Sequence, residues 1–218
     1  LLPIFDKYPC ITIKYYSYIK WKEALIKSLN KVSSNKELLN YKLLINNYEV
    51  IDNIKIPYNH INDHWILGFI EAEGSLLIES KRNSCKLFIS QHEKSKKTLE
   101  AIKDYILNNW KPIDNTPIFI KNYLLNNWNN IIYLSKLNKC NVINLTLANI
   151  DFLYYVIIPK FNNISWYSIK YNSFINWQSI INIYIKGLHK INNKDIINYI
   201  EYLRNLNKKG INKINYNI

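Results

Sequence analysis

The stretch "WILGFIEAEGSLLIES", Trp65 to Ser80, decides the fold. Its first half is a short apolar helix pattern ending in Glu71, Ala72, Glu73 and Gly74, and a strand-like run follows at once. Two carboxylates therefore fall in the last turn of a helix. The macrodipole is negative there, so an acid costs about 0.3–1 kcal/mol. Something must make acids worth having at that end.

Asn62 or Asp63 can cap this helix and Gly74 is placed as its C-terminal stop. "SLLIESK" (75–81) and "KLFISQH" (86–92) read as a strand pair joined by "RNSC". From Ser95 to Trp110 the positions Leu99, Ile102, Ile106 and Trp110 recur at helical spacing. A second strand pair, "NIIYLSKL" (130–137) and "NVINLTLAN" (141–149), turns at "NKC". Asp151 to Lys160 predicts a short helix, "YNSFINWQSIINIYIKGLH" a longer one closed by Gly187, and Asn193 to Leu206 a last one. The order predicts an α+β fold: a four-stranded antiparallel sheet covered by helices on one face, the other face left for a partner.

An internal repeat extends this reading. Leu1, Leu2, Pro3 and Phe5 match Ile157, Ile158, Pro159 and Phe161, and "IKYYSYIKW" (13–21) matches "IKYNSFINW" (169–177). The offset is 156 throughout (157 − 1 and 169 − 13), without a gap. The expected organisation is then the tail of a first repeat (1–29), an inter-repeat linker (30–59) and a second repeat (60–218). With no Met among its 218 residues, the chain reads as a processed or truncated piece of something longer.

Composition narrows the partner. The chain is 48% hydrophobic and 21% charged, and no segment approaches the roughly 18 unbroken apolar residues of a membrane span. A formal charge of +13, interleaved with 18 Tyr and 6 Trp, suits a nucleic acid. Candidate phosphate contacts are Lys81, Arg82, Lys86, Lys94, Lys96, Lys97, Lys136 and Lys139. Cys10, Cys85 and Cys140 stand far apart without a CxxC pair, which points to a reducing compartment and away from a zinc site.

At this point "ILGFIEAEG" (66–74) resembles the LAGLIDADG motif of intron-encoded homing endonucleases and maturases, and the αββαββα order is similar to that family's repeat. "GSLLI" after the motif, "ISQHEKSKKTLEAIKDYI" (89–106) and "KYNSFINWQSIINIYIKGLH" (170–189) extend the resemblance over nearly all of 60–206. Independently of the family, Gly68 and Ala72 stand four apart and leave one helix face nearly bare, so another helix backbone could approach there. The resemblance implies that such motif helices pair. It implies that Glu73 binds a divalent metal, usually Mg²⁺, at scissile phosphates, and serves as the catalytic acid if cleavage is retained. Glu71, two residues earlier, is rotated by about 200° and is read as capping or structural.

Two departures from the nuclease pattern stand out. Cleavage in the family also uses basic residues on the sheet strands, yet the expected open face of 141–149 is Val142, Asn144, Thr146 and Ala148, opposite a core face of Ile143, Leu145 and Leu147. A second metal-binding acid would come from the first repeat. The resulting expectation is a maturase of the mitochondrial matrix that binds group I intron RNA and assists its splicing, with weak or lost cleavage. An abundance of Ile, Asn, Lys, Tyr and Leu, whose codons can be AT-rich, agrees with a mitochondrial genome. The alternative is a site-specific endonuclease making a Mg²⁺-dependent cut in DNA at the intron-insertion site. A structural RNA-binding fragment is a third reading. A helper splicing protein is compatible with the first, and no membrane is expected.

Overall fold

The computed structural model describes residues 1–30, 34–45, 54–79, 84–137, 141–191 and 193–208. They form two compact units.

The smaller unit comprises Leu1–Ile61 with Lys94–Ala101. It contains α1 (Leu2–Lys7), α2 (Lys14–Leu29) and α3 (Asn35–Ile45). Helix α2 is held to the end of α1 by Asp6, whose carboxylate accepts from Tyr18 Oη (2.6 Å) and the Lys22 ammonium (2.6 Å). Helices α2 and α3 pack together, tied by Ser17 Oγ to Ile45 O (2.8 Å) and by Tyr41, which donates to Glu23 and accepts from Lys27 (2.7 Å each). The stretch expected to be a linker thus carries a helix, started by a reciprocal cap between Ser34 and Glu37.

The larger unit comprises Asn62–Glu93 with Ile102–Ile218. Helix α4 (Asp63–Glu73) runs straight into β1 (Gly74–Glu79), which pairs with β2 (Ser84–His92). Helix α5 (Lys96–Asn109), whose residues from Ile102 onward belong to this unit, and helix α6 (Ile118–Asn126) lead to β3 (Ile132–Lys136) and β4 (Val142–Leu147). The four strands form one antiparallel sheet in the order β1-β2-β4-β3. The expected core face is buried: Ile143 at 6%, Leu145 at 0% and Leu147 at 1% exposure. Leu99, Ile102, Ile106 and Trp110 are likewise buried. On the expected open face, Val142, Asn144 and Ala148 are half-buried, but Thr146 is buried. Its register partners are Phe88 and Tyr133, so two aromatic neighbours flank it.

The expected single helix after β4 is broken into α7 (Ile150–Phe152), a π-helical segment Leu153–Ile157 and α8 (Ile158–Asn162). Pro159 supplies the reason. It has no N–H for the carbonyl four residues back, and its ring crowds that carbonyl. The Tyr155 carbonyl instead accepts from Ile113 N at 3.1 Å. Helix α9 (Lys170–Ile185) packs on β1 and β2, and its end is closed by Gly187 at φ 68°, a left-handed turn that favours glycine. Helix α10 (Lys194–Lys208) packs on α9 and β1. Helix α6 lies where no helical periodicity stands out: Leu124 is buried, whereas Ile118, Phe119, Tyr123 and Leu125 are exposed, so no apolar stripe marks it.

The segments that match at an offset of 156 fall on two like helices. Helices α2 and α9 are both 16 residues long and start 156 residues apart (170 − 14). Both are preceded by the same turn: Lys14 N donates to Thr12 Oγ1 at 3.2 Å, and Lys170 N to Ser168 Oγ at 3.3 Å.

Candidate functional site

The motif helix α4 is anchored at both ends. At its start the Asn62 side chain accepts from Trp65 N (2.9 Å), the expected cap. Asp63 then accepts from Trp110 Nε1 (2.7 Å), Tyr105 Oη (3.1 Å) and Lys160 Nζ (3.0 Å), pinning the first turn to the end of α5 and to α8. Burial pushes its pKa up, but these three donors outweigh burial and hold the carboxyl below its ordinary value. Ile66, Leu67 and Ile70 bury the inward face.

At the other end the two glutamates separate. Glu71 Oε1 accepts from Tyr167 N (3.1 Å), Ser168 N (2.7 Å) and Ser168 Oγ (2.6 Å), so it caps the turn that opens α9. Glu73 is exposed, and its Oε2 accepts from Gln91 Nε2 on β2 at 3.2 Å. The half-buried Lys170 donates its ammonium to Ile70 O (3.0 Å) and Gly74 O (2.7 Å). A cation from a distant segment therefore supplies what a helix C-terminus requires, and the acids sit beside it. Burial pushes the Lys170 pKa down against Glu71 and Glu73, which raise it. Replacing Lys170 by Met should remove both carbonyl contacts and cost about 1–2 kcal/mol, read as a lower urea midpoint with an unchanged slope.

Gly74 stands where a helix stop was expected but for a different reason. Its backbone is extended (φ −78°, ψ 157°), so no left-handed conformation is needed. A Cβ there would meet Ile70 O and Ile70 Cγ2 at 2.8 Å and Ile70 Cα at 3.0 Å. The chain leaves the helix for β1 so closely that only glycine fits.

The motif-helix face bearing Gly68 and Ala72 is exposed, and a Cβ on Gly68 would meet nothing within 4 Å. Trp65 and Phe69 stack beside it, with ring centroids 5.0 Å apart and planes 11° apart. Gly68 therefore does not pack under an aromatic of its own unit.

Glu73 offers the hard oxygen that Mg²⁺ prefers. Among the described residues, however, no group of three or more His, Cys, Asp or Glu side chains could hold a metal. Glu73 and the Gln91 amide are therefore at most part of a metal shell.

The candidate phosphate contacts scatter. Lys81, Arg82 and Lys139 lie outside the described residues. Lys86 pairs with Glu79 (2.9 Å) and Lys136 with Glu93 (2.8 Å), and these two are the only Lys or Arg residues on the described strands. Lys94, Lys96 and Lys97 are exposed around the start of α5, with Lys96 at 3.6 Å from Glu100. The basic group nearest Glu73 and Glu71 is thus Lys170, which no charge cluster marked. Its signal lay in the repeat, where Lys170 matches Lys14 within "IKYNSFINW" and "IKYYSYIKW".

No family model matches the chain. It is 55% identical over 220 residues to the uncharacterized mitochondrial protein RF1 of Saccharomyces cerevisiae, covering all of this chain and 46% of that protein. Over 85 residues it is 28% identical to the probable intron-encoded endonuclease Cox1-I1b of Schizosaccharomyces pombe, covering 37% of this chain and 22% of that protein. The chain thus spans less than half the length of these relatives. Among solved structures it superposes on I-SmaMI bound to an uncleaved DNA target with calcium ions, with TM-score 0.70 at 20% identity, covering 96% of this chain and 71% of the other. It also superposes on the LAGLIDADG homing endonuclease I-GzeII in complex with its DNA target, with TM-score 0.66 at 20% identity, covering 93% and 70%. The motif at 66–74, the sheet order and these superpositions together establish that the chain has the LAGLIDADG homing-endonuclease fold.

Proposed function

We propose that the chain is part of a mitochondrial, intron-encoded protein that binds group I intron RNA and assists its splicing. The observation that carries this reading is the charge of the sheet. In the family the sheet is the surface that meets DNA, yet the described strands hold two lysines and each is neutralised by a glutamate. With a net charge of +13, the excess of Lys and Arg falls outside the described strands, where a folded RNA can meet it through phosphate contacts. The mitochondrial setting follows the 55% identical relative, and the intron-encoded origin follows the fission-yeast one. A helper splicing protein fits as a further partner.

A second reading, site-specific DNA cleavage at the intron-insertion site, is favoured by the grouping of Glu73, Gln91 and Lys170 at the motif-helix end. In that reading Glu73 holds Mg²⁺ together with a second acid, and Gly68 and Ala72 meet a second motif helix.

One protein preparation separates the two. Group I intron splicing at low Mg²⁺ is measured with and without it, alongside cleavage of the intronless DNA junction. Splicing should be stimulated, cleavage should be slight, and Glu73→Gln should leave the stimulation within twofold. Robust double-strand cutting that Glu73→Gln abolishes, without splicing stimulation, overturns the proposal in favour of the nuclease.

A further inference from the structure

The larger unit carries an open hollow of about 390 Å³ whose lining includes neither Glu73 nor Gln91 nor Lys170. Its wall owes its shape to the π-helical segment, a feature that recurs at functional sites in other proteins. The segment presents Tyr154 and Tyr155 edge to face, with ring centroids 4.7 Å apart and planes 85° apart, and Pro117 faces them from the segment before α6. Four carboxamides stand among further apolar lining residues: Asn115 and Asn162 at the exposed rim, with Gln178 and Asn182 one turn apart on α9.

No lining residue is charged. None of the four carboxamides makes a side-chain hydrogen bond among the described residues, and Gln178 Oε1 is buried without a partner. A buried acceptor left unpaired costs about 1–3 kcal/mol, and Gln178 Oε1 is such an acceptor at this hollow, with the half-buried Asn182 amide one turn along and two rim amides open to water. The site is built to give and take hydrogen bonds with something neutral and planar.

We propose that this cavity is a nucleobase pocket that takes one unpaired base of the bound RNA; the inference rests on the RNA-binding reading above. Carboxamides carry donors and acceptors side by side and pair with base edges, while aromatic rings stack on base faces. A phosphate or a carboxylate would find no cation in the lining. The volume lies at the small end of ligand pockets, where a single base and its sugar fit. Lys121 and the exposed Lys186 stand one helical turn beyond Pro117 and Asn182, in reach of the flanking phosphates. Because no lining residue belongs to the motif helix, the pocket lets the chain hold RNA without it.

The test uses the full chain and fluorescein-labelled RNA decamers, one of adenosine and one an abasic ribose-phosphate decamer of equal charge. The adenosine decamer should bind about tenfold more tightly, the effect of one well-made amide pair with a base. Gln178→Leu with Asn182→Leu should abolish that preference and leave abasic binding unchanged. Should the double variant melt early, Asn162→Leu at the exposed rim replaces it and should reduce the preference severalfold. Equal binding of the two decamers by the unmodified chain overturns the pocket. A preference that survives both variants overturns it too. A chain that discriminates the decamers through these residues but does not stimulate splicing refutes the splicing role and keeps the pocket.

Discussion

Gly74→Ala should be among the most damaging single-methyl additions in the chain, costing about 3 kcal/mol of stability. The added Cβ would lie 2.8 Å from the Ile70 carbonyl oxygen and 3.0 Å from Ile70 Cα, and backbone atoms cannot rotate away as a side-chain tip can. Relief would require α4 and β1 to part at their junction. The same movement would pull the Gly74 carbonyl from the Lys170 ammonium, so one methyl disturbs both the turn and its cap. Gly68→Ala is the internal control. A Cβ there meets nothing within 4 Å, and alanine is favoured over glycine inside a helix by about 1 kcal/mol, so stability should hold or rise slightly. Thermal melts of both variants check the pair. Equal melting temperatures for the two would mean that the α4–β1 junction is looser than described. If Gly68→Ala is stable yet inactive, the bare face is needed for close helix contact.

The contrast shows what a sequence can disclose. Period and punctuation carried the strands, their two hairpin pairings, the motif helix and its Asn62 cap, because each depends on residues near one another in the chain. The separation of Glu71 from Glu73 was legible too, since helical rotation sends them to different partners: Ser168 for one, Gln91 for the other. Three features were not legible. The role of Lys170 depends on a contact across 100 positions to Ile70, and the match to Lys14 singles out the residue without disclosing that contact. The π-helical segment follows from Pro159, but a proline alone signals a break and not its form. Helix α6 keeps most of its apolar residues exposed, so the periodic signal that finds helices is missing there. In each case the deciding partner is remote in the chain or the burial pattern is irregular.

Asp63→Ala should cost about 2–3 kcal/mol at neutral pH, because it leaves the Trp110 indole, the Tyr105 hydroxyl and the Lys160 ammonium without their shared acceptor. The carboxylate and the ammonium are about 30% exposed each, at 30% and 31%, so water offsets part of the loss. Asp63→Asn separates charge from shape, since it keeps one oxygen acceptor and removes the ion pair. The sign of the pH dependence follows from the direction of the shift. Folding holds the Asp63 pKa below its ordinary value, so its contribution is complete above the unfolded value of about 3.9 and fades as pH falls through the folded one. Urea unfolding at pH 7 and pH 3 should therefore show a clear gap between the unmodified chain and Asp63→Asn at the higher pH and a smaller gap at the lower. A gap that stays constant would mean that the carboxylate's charge contributes nothing and that Asp63 holds α4 by hydrogen-bond geometry alone.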